Sequence, residues 1–273
     1  MICFKNAQIV ESIPILDRAF HYGDGCFTTA RFHQNMMELE SRHRERLRLS
    51  AERLSLSINF DLLDATLEQL KQQMAPLNGT LKIILSRGEG NRGYSLPDHP
   101  ADLYVLFYPQ QTQTFQLELI DSNVLEQVIG LTMPSLVGIK SLNRLEQVLL
   151  KKEAQQHGWL EALVIDVQEG IVEGISSNCF IRINDTWITP ELRYNGVHGV
   201  MRAEILNRMQ QQQIPCVLRF VGRDEIPEIQ SLFFCNALNP MKVVQNFQTR
   251  LLEVQPCVEL FDTLQLNQFN HYA

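Results

Sequence analysis

Glu173 opens the stretch E-G-I-S-S-N-C-F, which runs to Phe180, and I-T-P at Ile188 to Pro190 and G-V-M-R at Gly199 to Arg202 follow it. An acidic residue leads into a Ser/Asn-rich turn and then a predicted strand, and a loop after Pro190 brings a glycine to the start of a predicted helix. A carboxylate can keep a basic ring nitrogen protonated. Backbone N–H groups at a helix start, here Gly199, Val200 and Met201, attract a phosphate through their geometry and the helix dipole. Lys140, in G-I-K-S-L-N-R from Gly138 to Arg144, supplies an amine. It follows the apolar L-V-G-I and precedes a predicted helix, so burial of its stem and a nearby cation would lower its pKa and make it a nucleophile. Each feature alone is weak. Most lysines are exposed, a Glu-Gly pair fits an ordinary turn, and every helix has an N-terminus. Together they match the needs of one molecule, pyridoxal phosphate: an amine for its aldehyde, a carboxylate for its ring nitrogen and a seat for its phosphate. Asn236, in F-C-N-A-L-N-P, adds a donor at a strand end, and Arg46, Arg44 or Arg48 could supply a cation.

These residues need a scaffold, and the pattern of the chain predicts a mixed one. Strands are expected at Ile2 to Phe4 and Gln8 to Val10 around a Lys5-Asn6 turn, then at Cys26 to Phe32 with Met36 to Leu39 beside it. Leu47, Ala51 and Leu54 recur at helical spacing, as do Leu63, Leu67, Leu70 and Met74 before Pro76 and Asn78-Gly79. Leu81 to Ser86 and Leu103 to Tyr108 read as strands around the polar loop R-G-E-G-N-R-G-Y, from Arg87 to Tyr94. Strands follow at Phe115 to Ile120 and Val128 to Met133, then a helix from Ser141 to His157 with Leu142, Leu145 and Leu149 inward. Ala162 to Val167, Cys179 to Ile183 and Trp187 to Thr189 are further strands, with Asn184-Asp185 a hairpin turn. A helix from Gly199 to the Gln210–Gln213 run, strands at Val217 to Val221, Leu232 to Cys235 and Lys242 to Val244, and a helix after Cys257 complete the chain. Helices and strands mix without strict alternation, so the fold class is α+β, in two domains. The Gln/Thr-rich segment marks a linker at 110–114, between an N-terminal domain, 1–109, and a C-terminal cofactor-binding domain, 115–273.

Composition narrows the function. The 273 residues are 45% hydrophobic and 20% charged, with a formal net charge of −7. That suits a globular chain with a sizeable core and disfavours nucleic acid as a partner. The arginines from Arg42 to Arg48 are interleaved with Glu38, Glu40, Glu45 and Glu52, the pattern of a solvated helix face. None of the six cysteines forms a C-x-x-C pair, so they read as reduced thiols of a cytoplasmic protein with no metal site. No apolar run approaches the roughly 20 residues of a membrane span.

The motifs G-I-K, E-G-I-S-S-N, I-T-P and G-V-M-R, in that order, resemble those of the fold-type IV pyridoxal-phosphate enzymes, over nearly the whole chain. That family includes branched-chain and D-amino-acid aminotransferases and the aminodeoxychorismate lyases. The resemblance implies an N-terminal α/β sandwich and a C-terminal β-barrel-like domain with helices. It implies that Lys140 bonds the cofactor and Glu173 faces its ring nitrogen. Arg46, the amides of Val200 and Met201, and Asn236 with Ala237 would hold the phosphate. G-D-G-C-F-T-T-A-R at Gly23 to Arg31, S-R-G-E-G-N-R-G-Y at Ser86 to Tyr94 and G-I-K-S-L-N-R-L-E-Q at Gly138 to Gln147 look like the lyase branch. The aminotransferases carry a Glu-Gly pair where this chain has Thr28-Thr29, and a hydroxyl there can serve a leaving oxygen. On this resemblance Thr29 is the expected proton donor or water-positioner, with Thr28 as fallback. Arg92, Arg144 and Arg87 are candidates, in that order, for a dianionic substrate. The implied assembly is a homodimer, with the loop from Arg87 to Tyr94 reaching toward the neighbour's site. The alternatives are a D-amino-acid or branched-chain aminotransferase, or a non-catalytic cofactor-binding protein on the same fold.

Overall fold

The computed structural model describes residues 1–73, 77–110 and 117–268. They fall into two compact units, one of 1–110 with Ile139–Asn143 and the other of 117–138 and 144–268. All but Gln110 of the expected linker lies outside the described residues.

The first unit is a sheet with helices on one face. Its elements are β1 (Ile2–Lys5), β2 (Gln8–Ile9), α1 (Arg18–Tyr22), β3 (Gly25–His33), β4 (Met36–Met37), α2 (Glu40–Arg53), α3 (Phe60–Gln73), β5 (Gly79–Ser86) and β6 (Asp102–Pro109). The strand order is β2-β1-β6-β5-β3-β4, antiparallel throughout. Side chains alternate across the sheet. Cys26, Thr28, Ala30 and Phe32 of β3 are buried on one face, with Leu81, Ile83 and Leu85 of β5. Leu47 and Ala51 of α2 and Leu63, Leu67 and Leu70 of α3 are buried at the helical spacing that presents one apolar stripe to a sheet. Two-residue turns with both φ positive close the hairpins at Asn6-Ala7 and Gln34-Asn35. The first lies one residue beyond the expected Lys5-Asn6.

The second unit contains β7 (Glu118–Ser122), α4 (Leu145–Gln156), β8 (Val164–Ile165), β9 (Ile171–Glu173), β10 (Asn178–Ile183), β11 (Thr186–Pro190), α5 (Val200–Gln211), β12 (Cys216–Arg219), β13 (Ser231–Asn236), β14 (Asn239–Phe247), β15 (Arg250–Leu251) and α6 (Gln255–Thr263). Asn184 and Asp185 form the expected hairpin turn, both at positive φ. Aliphatic and Phe side chains of β10, β13 and β14 share a core with Leu163, Ile165 and Ile171.

Three expectations fail in this unit. The seven-stranded sheet runs β12-β11-β10-β13-β14-β15, with β7 parallel to β14, so it is open and not barrel-like. Its edge strand β12 pairs only with β11 among the described strands and leaves Val217 and Leu218 exposed. Val128 to Met133 is not a strand; Ile129 makes a single bridge to Asp166. The helix expected from Ser141 begins at Leu145, and its buried side is Leu150, Glu153 and Ala154. Leu145 is 72% and Leu149 46% exposed, so the apolar row read as its inner face points outward.

Candidate active site

The late start of α4 changes the setting of Lys140. Residues 140–142 lie extended along the outer edge of β3. The Phe27 N–H donates to the Lys140 carbonyl at 2.9 Å, the Leu142 N–H donates to Gly25 O at 3.1 Å, and Ser141 bridges Cys26. Lys140 is thus placed by a strand edge, not by a helix mouth. Gly25 permits the approach, since a Cβ there would stand 2.2 Å from Leu85 O and 2.9 Å from a Leu142 methyl. The Lys140 Nζ lies 4.9 Å from the centroid of the Phe27 ring.

Phe27, Thr29 and Arg31 leave β3 on the face away from the helices. Thr29 is half-buried there, and its hydroxyl makes no hydrogen bond among the described residues. Thr28 points the other way and is fully buried. Its Oγ1 is 2.6 Å from His43 Nδ1, and Arg46 Nη1 donates to that oxygen at 3.4 Å. Burial, with Arg46 beside it, brings the His43 pKa down to about 3, so the imidazole is neutral and suited to accept from the Thr28 hydroxyl. Burial pushes the Cys26 thiol up to about 12, which leaves it inert. Of the alternatives to Arg46, Arg44 pairs with Glu40 and Asp64, and Arg48 is an exposed partner of Glu45.

The other substrate arginines separate as well. Arg87 is buried, and its guanidinium is spent on both oxygens of Asp24, at 2.9 and 2.8 Å, and on the carbonyls of Leu54 and Ser55. These bonds anchor the Arg87 guanidinium within the first unit. Arg92 is exposed on its loop, beside Gly93, whose N–H donates to the Tyr22 hydroxyl.

In the second unit Glu173 ends β9 and is buried. Its Oε2 accepts from Asn178 Nδ2 at 3.1 Å and from the Val197 N–H at 3.0 Å. Asn178 Nδ2 also donates to the Val197 carbonyl at 2.9 Å. The Asn178 Oδ1 sits against the start of α5, where a Cβ on Gly199 would come within 1.8 Å of it. One amide therefore ties the carboxylate to the helix start, and only glycine fits beside it. Gly199 caps α5 without a side chain, and the first-turn N–H groups of Val200 and Met201 have no side-chain acceptor among the described residues. Sequence reasoning quoted Asn178 within E-G-I-S-S-N but gave it no role.

Two more links explain why these motifs occur together. Arg202 of G-V-M-R donates through Nε to Thr189 Oγ1 at 3.0 Å and through Nη2 to Pro190 O at 2.8 Å, which joins it to I-T-P. Glu161 accepts from the Ser176 N–H at 3.2 Å, from the Ser177 hydroxyl at 2.8 Å and from the Ser176 hydroxyl, which fixes the serine turn. Asn236 is engaged at both ends: Nδ2 donates to Ser177 Oγ at 3.0 Å, and Oδ1 accepts from the N–H groups of Leu238 and Asn239. Its side chain builds the turn that carries Ala237. Arg144 caps α4; burial lowers its pKa, opposed by the carboxylates of Glu173 and Glu146.

The structure therefore groups Lys140, Thr28, Thr29 and Arg46 in the first unit, and Glu173, Val200, Met201, Asn236, Ala237 and Arg144 in the second. The donor set fits pyridoxal phosphate: a buried carboxylate held by N–H donors, a helix start packed against the Asn178 amide that also holds that carboxylate, and a lysine on an aromatic ring.

Comparison with known proteins agrees with this chemistry. The family model for class IV aminotransferases matches residues 25–247, and the chain belongs to that family. It is a pyridoxal-phosphate-dependent enzyme of this class. It is similar to an aminodeoxychorismate lyase of Vibrio harveyi, 29% identical over 83% of this chain and 84% of the relative. A D-alanine aminotransferase of Bacillus licheniformis is 25% identical over 84% of this chain and 82% of the relative. The solved 4-amino-4-deoxychorismate lyase of Pseudomonas aeruginosa superposes with a TM-score of 0.83 at 29% identity, covering 96% of this chain and 98% of that one. Among the described residues no helix is long and apolar enough to cross a membrane.

Proposed function

We propose that this enzyme is a lyase that converts 4-amino-4-deoxychorismate to 4-aminobenzoate and pyruvate, a step of folate biosynthesis, in the cytoplasm. The observation that carries the reading is the uncommitted Thr29 hydroxyl on the sheet face where Lys140 also lies. An aminotransferase has no oxygen leaving group to serve there. Bound pyridoxal phosphate supplies an aldehyde for the substrate's amine and a ring that withdraws electrons from the carbon bearing that amine. Lys140 would hold the aldehyde between turnovers, and its amine, once displaced by the substrate's, would take the proton from that carbon. Glu173, steadied by Asn178 and Val197, keeps the ring nitrogen protonated. Arg46, the N–H groups of Val200 and Met201, and the Asn236-Ala237 turn bind the phosphate. Thr29 donates a hydrogen bond to the departing oxygen or orients a water that does. Its hydroxyl is too weak an acid to act alone, so the Lys140 ammonium shares the proton. Arg92, Arg144 and Arg87 are, in that order, the arginines proposed for the substrate's carboxylates, with Arg87 last because Asp24 already engages it.

The outward row Leu145, Val148 and Leu149 of α4, exposed at 72%, 62% and 46%, supports a homodimer, since such a row is costly in water. Sedimentation of a fully active monomer would remove that part. The reaction is tested by adding 4-amino-4-deoxychorismate to the purified enzyme and assaying both products. Formation of both supports the reading. Transfer of the amino group from D-alanine or a branched-chain amino acid to 2-oxoglutarate, with no 4-aminobenzoate formed, makes the enzyme an aminotransferase.

A further inference from the structure

Glu161 precedes β8 and is 1% exposed, yet it forms no ion pair among the described residues. A buried carboxylate without a cation is costly unless donors satisfy it. Its side-chain hydrogen bonds among the described residues all come from one turn, between β9 and β10. The Ser176 and Ser177 hydroxyls both donate to Oε1, the second at 2.8 Å, and the Ser176 N–H donates to Oε2 at 3.2 Å. Oε2 also fills the space beside Gly174, where a Cβ would come within 2.8 Å of it. As a carboxylate Glu161 only accepts, and a serine hydroxyl has a single hydrogen. The Ser177 hydrogen therefore points at Glu161, and the Ser177 oxygen is left to accept from Asn236 Nδ2 at 3.0 Å. With Nδ2 turned that way, Asn236 Oδ1 faces the N–H groups of Leu238 and Asn239, at 3.0 and 2.9 Å. Neither bond takes the Ala237 N–H. One carboxylate thus sets the polarity of a hydroxyl, an amide and a turn in succession. The ring-nitrogen end of the site is held separately, by the Asn178 amide and the Val197 N–H on Glu173.

We infer that Glu161 is a positioning residue for the cofactor's phosphate: acting through Ser177 and Asn236, it presents the Ala237 turn to that group without touching it. This rests on the placement of the phosphate at that turn in the reading above, and it holds for a lyase or an aminotransferase alike. A buried anion in contact with a phosphate would repel it. Here the serine turn satisfies the charge, and only the direction of a hydrogen bond passes on. An uncharged amide cannot replace this. In Glu161→Gln, either orientation of the new amide sets a donor against a donor. If its NH2 faces the Ser176 N–H, that contact is lost. If its NH2 faces Ser177, the hydroxyl reverses and donates toward Asn236. Asn236 must then present Oδ1 to Ser177 and Nδ2 to two N–H groups, and the turn shifts.

The test uses the full chain loaded with cofactor, as wild type, Glu161→Gln, Ser177→Ala and Asn236→Ala. Each protein is dialysed to equilibrium against graded concentrations of pyridoxal phosphate, or of pyridoxal, which lacks the phosphate. Bound cofactor is read from its visible absorbance. Loss of the buried relay should raise the Kd for pyridoxal phosphate about 10- to 100-fold in Glu161→Gln. The Kd for pyridoxal should stay near wild type, because the donors on Glu173 are untouched. Ser177→Ala breaks the relay one step later and leaves Glu161 with Ser176. It should show the same selective loss, and it carries the test if the glutamine variant folds poorly. A residue that only stabilises the fold would weaken both ligands equally or neither, and either result overturns the inference. A selective loss in Asn236→Ala, with none in Glu161→Gln or Ser177→Ala, overturns it as well and leaves the phosphate at the turn. If Asn236→Ala itself keeps the wild-type preference for the phosphorylated form, the turn is not the phosphate seat, and that placement and this inference are removed together.

Discussion

Thr28 and Thr29 are neighbours in β3, and the two faces of the sheet use them in opposite ways. Thr28 is sealed under α2, with its hydroxyl committed to His43 and touched by Arg46. Thr29 emerges beside Phe27 with its hydroxyl uncommitted. The helix-covered face is apolar apart from a few buried polar groups, among which Thr28 and His43 satisfy each other. The other face carries Lys140 and Lys82 around the Phe27 ring, with Arg31 further along the strand against Glu38. A strand that alternates side chains can stabilise one face and keep reactive groups on the other, because a change on one face need not disturb the packing of the next. If that division holds, substitutions on the two faces should fail in different ways.

The largest effect is expected at Lys140. Lys140→Ala removes both the group that bonds the cofactor and the proposed base, so turnover should fall to background. Borohydride reduction of the wild type, followed by mass analysis of peptides, should place the cofactor mass on Lys140. A label on any other lysine would move the reactive face elsewhere.

Next comes Thr29→Ala. General acid assistance is typically worth about 10²–10⁴-fold, and pyruvate release should slow by an amount in that range. The visible spectrum and the melting temperature should stay near wild type. Any side transamination of D-alanine should suffer less, since it expels no oxygen. Equal damage to both reactions, or none to either, reduces Thr29 to a packing residue.

What the sequence revealed and what it hid can be seen in the same few residues. Period-two alternation in C-F-T-T-A-R-F makes one threonine inward and one outward, but it does not say which hydroxyl is spent. That depends on His43, which reaches Thr28 only after α2 folds back. The motif around Lys140 suggests a chemistry but does not give its position. Leu142, Leu145 and Leu149 mimic a helix's inner face, while the actual partner of 140–142 is the edge of β3, far away in sequence. Arg87 and Arg92 look alike in R-G-E-G-N-R, and only folding shows that Asp24, Leu54 and Ser55 consume the first. The order of Glu173, I-T-P and G-V-M-R was legible, yet the contacts that make it cohere, Asn178 to Gly199 and Arg202 to Thr189, are tertiary. The barrel-like closure failed for a similar reason, since strand pattern does not reveal whether an edge finds a partner.

Glu38 sharpens the comparison through pH. It lies at the far end of β3, where it faces Arg31, and its Oε2 has no hydrogen-bond partner among the described residues. Burial raises its pKa from 4.5 to about 7, against the opposing pull of Arg31. The folded state thus keeps a proton that the unfolded chain releases. That contribution is fully present below about pH 4.5 and is lost as pH rises through about 7. Glu38→Gln mimics the protonated form and should flatten the decline, gaining up to about 3 kcal/mol over the wild type at pH 8 and little at pH 4.5. Urea unfolding of both proteins at the two pH values measures it. The difference between them cancels His43, whose lowered pKa gives the opposite slope, with stability lost as pH falls below about 6.5. A gain of the same size at both pH values would mean that packing, not the proton, is responsible.

The smallest effect, and the most direct challenge to the division, is Thr28→Val. Valine fills the same space but removes the hydroxyl, so the swap is not neutral in a buried site. His43 Nδ1 would lose its 2.6 Å partner in a place water does not reach. Leaving one buried polar group unsatisfied costs about 1–3 kcal/mol. The expected phenotype is a lower urea midpoint, with pyruvate release per folded enzyme close to wild type. Thr28→Ser, which restores the hydroxyl, should recover much of the lost stability. Cofactor affinity is the finer readout, because Arg46 Nη1 also reaches the Thr28 oxygen. A modest weakening there, with turnover intact at saturating cofactor, would show the covered face acting through the position of Arg46. If Thr28→Val instead slows pyruvate release as severely as Thr29→Ala at full cofactor loading, the two faces are not separate. The proton donor then belongs to the inward threonine, and Thr29 would need a different role.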